Sequence, residues 1–410
     1  MSVAPQSDQL LTIRTLTDAD LPAFSAVLAS AFLIDHNDDF LASERTVFEP
    51  ARSHGVFDGA EMIGSGQLLT RRLVVPGAGP IPAAAVTSIG VAPGHRRRGV
   101  LSMIMRTQLA GLHETGEPIA ALWASEGGIY GRFGYGLATQ YVRLALPRGA
   151  AFRRDVEVDP APVRELPREQ ALPLIRKIYE SVWADRVGYL DRTDGAWDYH
   201  LFDAEPSRRG QTAYRFAVHP EGYAVYRTRQ EWQDRGPRSP VTVRTLVAAN
   251  PPAYAAICRY VLDIDLVGEV TMRLAVDEPL VHMLADSRAA VRTMFDALWV
   301  RLVDVDRALA ARRYAVPVDV VLEVADELCP WNAGRWRLAV GEDGRAEVER
   351  SAADPDLALG VEALGAAYLG GTRLATLAAA GRVRELRRGA LARTSLAFLH
   401  DREPGCLEDF

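Results

Sequence analysis

Four stretches carry residues whose types and spacing could do chemistry. The first is Val86–Met105, VTSIGVAPGHRRRGVLSMIM, in which Arg96, Arg97 and Arg98 run into Gly99. A basic, glycine-closed turn ahead of a helix suits a diphosphate. The free backbone N–H groups of a helix start coincide with the positive end of its dipole, and the guanidinium groups add charge. A solvated basic turn is the alternative that these residues leave open. The second stretch, Ala124–Gly136, reads ASEGGIYGRFGYG and sets Tyr130 among glycines. On composition alone an aromatic on such a tight turn reads as a core residue, and Phe133 and Tyr135 are read as packing residues. A phenol with an ordinary pKa near 10 is nonetheless able to donate a proton.

The third stretch, Asp35–Phe40, is DHNDDF. Asp35, Asp38 and Asp39 could line a mouth that accepts cationic amines, or form a solvated loop. No second cluster has metal-ligand spacing, so no metal is expected. The fourth is the C-terminus, GCLEDF. The α-carboxylate of Phe410 is a base with an ordinary pKa of about 3.5, weak against an ammonium group unless burial raises it. Most C-termini are loose tails. Glu408 and Asp409, beside it, could bind a polyamine.

These residues need elements to hold them. Val86, Ile89 and Val91 form a β-branched strand that Pro93-Gly94 ends. Val100, Leu101, Ile104 and Met105 give the apolar stripe of a helix running to about Thr115. Ile119–Ser125 is a second apolar strand, parallel to the first because a helix joins them. Leu11–Leu16 alternates as a strand, an Asp18-capped helix follows, and Asp58-Gly59 turns a hairpin. Gly77–Pro82 reads as a loop, and residues 1 to about 10 as disordered. After Pro147 composition shifts to proline and charge. Leu172–Trp183 reads as a helix, then come strands at Arg215–Val218, Gly222–Arg229 and Val241–Ala248, a helix at Pro251–Asp263 and a strand at Val270–Val276. This order repeats that of the N-terminal part, without an HRRRGV-like turn. From Asp296 a third unit is expected, with strands at Trp299–Leu302 and Asp319–Val324, a hairpin turning at Gly341–Gly344, and helices at Asp356–Leu369 and Leu374–Ala380.

The totals narrow the class. A chain of 410 residues suits two or three domains. Apolar content of 48% and charged content of 24% are those of a soluble globular protein. No apolar run approaches the roughly 18 residues of a membrane helix, and MSVAPQSDQL lacks the features of a secretory signal. A cytoplasmic location is the expectation, with signal-independent export left open. A net charge of −6 argues against a nucleic-acid partner. Lys177 is the only lysine, so a lysine nucleophile is nearly excluded. Cys258, Cys329 and Cys406 offer neither metal spacing nor a disulfide framework.

The pattern R-R-x-G after a Val/Ile-rich strand and a proline, standing as Arg97, Arg98 and Gly99 within HRRRGV, resembles the acetyl-CoA pyrophosphate loop of the GNAT N-acetyltransferases. With ASEGGIYGRFGYG, the chain length, the tripartite layout and the aromatic C-terminal residue, the whole chain resembles the Eis-type (enhanced intracellular survival) acetyltransferases. The resemblance implies an α+β (mixed α/β) fold. Two tandem GNAT-like domains, 1–148 and a degenerate 149–295, precede a sterol-carrier-protein-like domain, 296–410. It also implies that acetyl-CoA is the acyl donor. Ile89, Gly90 and Val91 would make backbone contacts to it, one N–H near Val91 stabilising the oxyanion. Arg97, Arg98, Gly99, Val100, Leu101 and Ser102 would hold the pyrophosphate, with further contacts from Ser125 and Glu126. Tyr130 would be the general acid and the Phe410 carboxylate the general base. Polyamines such as aminoglycosides, acetylated at several positions, would be acceptors, and the assembly a homohexamer. Two rivals remain: a protein lysine acetyltransferase, and a lipid carrier with a vestigial N-terminal domain. A structural lid is the expected role of the third unit.

Overall fold

The computed structural model describes residues 11–234, 236–406 and 408–410. The reading of residues 1 to 10 lies outside them. The first unit runs β1 (Thr12–Thr15), α1 (Leu21–Phe32), α2 (Asp38–Val47), β2 (Ser53–Asp58), β3 (Glu61–Val75), β4 (Gly79–Val91), α3 (Val100–Thr115), β5 (Ile119–Trp123) and β6 (Gly136–Leu137). β3 and β4 form a long antiparallel hairpin, whereas β4 and β5 are parallel and pair only from Ala83 to Ala85 against Ile119 to Ala121. Beyond that point β4 keeps β3 as its partner and β5 keeps a strand on its other side, so the two diverge. The expected loop at Gly77–Pro82 is shorter than read. β4 begins at Gly79, where it has no partner opposite β3, and an edge tolerates Pro80 and Pro82.

The second unit follows with β7 (Gln140–Pro147), β8 (Arg164–Leu166), α4 (Arg168–Val182), α5 (Asp194–His200), β9 (Arg215–His219), β10 (Gly222–Thr228), a two-residue ribbon of β11 (Trp232–Gln233) and β12 (Gly236–Pro237), β13 (Ser239–Ala248), α6 (Pro251–Asp263), β14 (Val267–Ala275), α7 (Leu280–Met283) and β15 (Val291–Asp296). Its sheet has the order β15-β7-β14-β13-β10-β9-β8, with β13 and β14 parallel across α6. The strand–helix–strand core of the first unit therefore recurs. Its turn does not: Asn250 caps α6 through its side chain, and Pro251 and Pro252 remove the N–H groups an anion would need.

β16 (Leu298–Leu302) corrects the sequence reading, which grouped it with the third unit. It lies inside the first sheet, whose order is β1-β2-β3-β4-β5-β16-β6. Its Leu298, Val300 and Leu302 are fully buried. The third sheet has the order β19-β18-β17-β20-β21, built from β17 (Val318–Ala325), β18 (Gly334–Val340), β19 (Ala346–Arg350), β20 (Leu357–Gly360) and β21 (Val383–Glu385). Helices α8 (Val305–Ala310), α9 (Val361–Ala367), α10 (Leu374–Ala379) and α11 (Ala390–Phe398) complete the unit. The expected helix from Asp356 is thus strand first, helix second. α9 lies directly on β6 and β16: a Cβ on Gly136 would sit 2.1 Å from the Glu362 carbonyl, and one on Gly365 2.2 Å from that of Val300. One apolar cluster joins Leu298, Val300 and Leu302 to Leu322, Leu338 and Leu364, so the third unit closes against the first sheet. Among the described residues no helix is long and apolar enough to cross a membrane.

Candidate active site

The divergence of β4 and β5 opens a cavity of about 730 Å³ at the start of α3. Ile89 and Val91 line it from β4, Arg97, Gly99, Val100, Leu101 and Ser102 from the turn and α3, and Ser125 and Glu126 from the loop after β5. Gly90 alternates to the opposite face, where a Cβ would stand 3.2 Å from Leu28 and 3.3 Å from Ala31. Arg98 turns away and pairs with Asp58 at 2.8 Å. Five wall residues lie outside the expected contact set. Arg96, read only as added charge of the turn, sits in HRRRGV, and Ile129 and Arg132 sit in ASEGGIYGRFGYG. Ala31 and Phe32, at the end of α1, arrive by tertiary packing and left no sequence signal.

The residues present fit an acyl-CoA. Gly99 has φ +84° and no side-chain cap covers the start of α3. Arg97 has φ +65°, a left-handed conformation that a non-glycine residue adopts at a cost and that gathers at functional turns. A Cβ on Gly99 would meet nothing within 4 Å, so a ligand can approach the backbone. Among the described residues no carboxylate pairs with Arg96 or Arg97, whereas most arginines here are paired. Open N–H groups, a bare glycine and two unpaired guanidiniums are what a diphosphate requires.

Tyr130 opens a one-turn helix, Tyr130–Phe133, and is buried at the cavity wall. Its ring meets that of Tyr135 edge-on at 6.0 Å. Burial, with Glu126 adding, pushes its phenol up to about 12, so the hydroxyl keeps its proton throughout the working pH range. Phe133 and Tyr135 are buried in the surrounding core.

The chain end is pinned by arginines from two units. Glu408 is 3% exposed and accepts from Arg71 Nη2 of β3 at 2.6 Å and from Arg192 Nε, ahead of α5, at 2.7 Å. Arg192 also stacks on Tyr179 and Trp197. Asp409 pairs with Arg244 of β13 at 2.6 Å and Arg273 of β14 at 3.3 Å. Burial works to raise the Asp409 carboxyl, but Arg244 and Arg273 hold it at about 2. Phe410 is partly buried and packs against the apolar cluster shared by the first sheet and the third unit. The expectation that Glu408 and Asp409 bind a polyamine is therefore corrected: their charge is already taken by arginines. The pairing spans 337 residues for Arg71–Glu408, beyond any sequence pattern.

Asp35, Asp38 and Asp39 are exposed and do not line the cavity. Asn37 caps α2 by accepting from the Phe40 N–H at 2.9 Å, and Asp38 and Asp39 lie in its first turn, where acidic groups favour the helix dipole. They stand apart from the cofactor cavity, so nothing in its lining supports the expected acceptor mouth. Among the described residues no group of three His, Cys, Asp or Glu side chains is placed to hold a metal.

Comparison with known proteins gives this geometry a family. GNAT acetyltransferase domain models match residues 12–138 and 188–305, and a sterol carrier protein domain model matches 305–407. The chain is 35% identical to the N-acetyltransferase Eis of Mycobacterium tuberculosis over 95% of this chain and 97% of that one. It is 41% identical to an uncharacterized N-acetyltransferase of Streptomyces avermitilis over 86% of this chain and 88% of the other. The crystal structure of Eis1 from Mycobacterium abscessus superposes with a TM-score of 0.85 at 35% identity, covering 97% of this chain and all of that one. With its two GNAT-type domains and sterol-carrier-like third domain, this chain belongs to the Eis family of N-acetyltransferases.

Proposed function

We propose that the protein transfers the acetyl group of acetyl-CoA to amines of polyamine acceptors, aminoglycosides among them, at more than one position. The observation that carries this reading is the cavity between β4 and β5, with Arg97, Gly99 and Ser102 at one end and Tyr130 on its wall. Acetyl-CoA, when bound, supplies the activated thioester. Arg96, Arg97 and the N–H groups at the start of α3 hold its diphosphate. A β4 N–H near Val91 hydrogen-bonds the carbonyl oxygen as charge develops on it. The Phe410 carboxylate takes a proton from the acceptor nitrogen, and the Tyr130 hydroxyl donates to the departing sulfur. The arginine-held Glu408 and Asp409 fix where that terminal carboxylate stands. Arg98, held by Asp58, drops out of the proposed contact set, while Gly90 stays in it as a backbone contact.

A homo-oligomer, a hexamer as in the resemblance, is part of this proposal. Its support is edge strand β15, where Val291 and Met294 are 64% and 55% exposed. A cytoplasmic location and a lid role for the third domain complete it. The test is thiol release from acetyl-CoA in the presence of an aminoglycoside, with and without Phe410. Removal of Phe410 lowers turnover by about 10²-fold if its carboxylate is the base. Full activity of the truncated chain would remove that role.

A further inference from the structure

The mechanism leaves one buried carboxylate without a task. Glu44 on α2 is 4% exposed, yet among the described residues no cation pairs with it. Its one recorded polar contact is the Ser88 hydroxyl, which donates to Oε2 at 3.4 Å. An unpaired buried carboxylate is costly, and such groups gather at functional sites. The location argues the same way. Ser88 has φ +53°, sits on the irregular stretch of β4 and immediately precedes Ile89 of the cofactor cavity. α1, which packs against α2, ends in Ala31 and Phe32 on the cavity wall. On the other side α2 lies on α5, so closely that a Cβ on Gly195 would stand 2.1 Å from the Thr46 carbonyl. α5 carries Tyr199, whose phenol is raised by burial first and then by the nearby charges of Glu44 and Asp409, with Arg244 opposing them. Glu44 thus stands between the acetyl-donor strand and the chain end that holds Phe410.

We propose that Glu44 is the anionic subsite of the acceptor pocket, pairing with a second ammonium group of a diamine or polyamine while another of its nitrogens is acetylated. This rests on the amine-acetyltransferase reading above and adds what the other carboxylates cannot supply: Glu408 and Asp409 are neutralised by arginines, and Asp35, Asp38 and Asp39 lie outside. The groups facing Glu44 are Ser88 from β4 and Tyr199 from α5, with the Asp409–Arg244 pair beyond; α1 carries no titratable side chain. Burial pushes Glu44 up to about 7, with only the Ser88 hydroxyl acting against it. The subsite is therefore charged above neutrality and discharged below it.

The experiment compares 1,5-diaminopentane with pentylamine, which has the same chain and one amine, by kcat/KM between pH 6 and pH 8.5. The expected result is a preference for the diamine of roughly 10- to 100-fold at the alkaline end, the size of a charged hydrogen bond. It shrinks as pH falls through 7. In Glu44→Gln the preference ratio drops toward one and its pH dependence flattens, while acetyl-CoA affinity reports that the fold is intact. Glu44→Asp, with a withdrawn carboxylate, gives an intermediate ratio, and the wild-type pH dependence is a reading that needs no variant. A Gln variant that keeps the full preference, or a wild type with no preference at any pH, would overturn the subsite while leaving the enzyme class standing. No transfer to either amine while an aminoglycoside is acetylated would overturn the diamine subsite alone; no transfer to the aminoglycoside either, with acetyl-CoA still bound, would refute the polyamine-acceptor reading on which it rests.

Discussion

Replacing Glu408 by glutamine tests whether the chain end is a docked working part. Glu408→Gln keeps the shape and some hydrogen-bonding capacity but removes the charge between Arg71 and Arg192. Arg71 retains Asp191 at 3.2 Å. Arg192, whose side chain is 1% exposed, keeps no carboxylate among the described residues and only the faces of Tyr179, 4.1 Å away, and Trp197, 4.6 Å away. Removing one partner of a buried pair costs about 3–5 kcal/mol. The ring contacts are present in the native protein and in the variant, so they cancel in the comparison. Because the glutamine amide keeps part of the hydrogen bonding, the lower end, about 3 kcal/mol, is used, and at 1.4 kcal/mol per tenfold it is a shift of about 10²-fold toward the undocked tail. The assay is kcat for thiol release, read beside acetyl-CoA affinity and amide hydrogen exchange over residues 399–410. Turnover falls by up to about 10²-fold, exchange in the tail rises, and acetyl-CoA affinity holds, because its cavity lies at the start of α3. Wild-type turnover with a fully protected tail would mean that the arginine cage is not what seats Phe410. Lost acetyl-CoA affinity would mean that the substitution unfolds more than the tail.

Tyr130→Phe lowers kcat with little change in acetyl-CoA binding; unchanged turnover at saturating substrates would remove its role as proton donor. Because the phenol is pushed up to about 12, wild-type activity shows no alkaline loss between pH 8 and 10 from this group, and a limb there that vanishes in the Phe variant would contradict its placement. Arg97→Ala weakens acetyl-CoA binding by about 1.5–3 kcal/mol, the worth of a hydrogen bond to a charged group, measured by calorimetry. Arg98→Ala does much less, because Arg98 is held by Asp58; an equal loss there would mean that Arg98 leaves Asp58 to hold the diphosphate, and unaltered affinity in Arg97→Ala would place the diphosphate elsewhere.

The local core of the fold was legible because local rules govern it. The β4–turn–α3–β5 unit shows in a β-branched run, a Pro-Gly break and a helical stripe, and the same order marked β13–α6–β14 in the second unit. What failed was membership. β16 has a strand's composition, but its partner β5 lies about 175 residues earlier, and pairing is decided by which apolar face it completes. The 356–369 segment misled because its apolar residues suit a helix throughout, whereas Leu357–Gly360 is taken up by the neighbouring strand β17. The same division runs through the site. The cofactor turn and Tyr130 announce themselves in short motifs. Glu44 sits in SERTV, an unremarkable helical turn, and acquires meaning only when Ser88 and Tyr199 are folded onto it. Carboxylates that looked available in GCLEDF and DHNDDF were already engaged, by arginines brought from other units and by the start of α2.

The most direct measurement of the central claim is the mass of the product formed from acetyl-CoA and a multi-amine aminoglycoside, taken alongside thiol release. Stepwise additions of one, then further, acetyl groups, matched mole for mole by free thiol, are the predicted result. Unmodified aminoglycoside with no thiol release, from a protein that still binds acetyl-CoA, would contradict the polyamine acceptor and leave only the family's acyl-donor site standing.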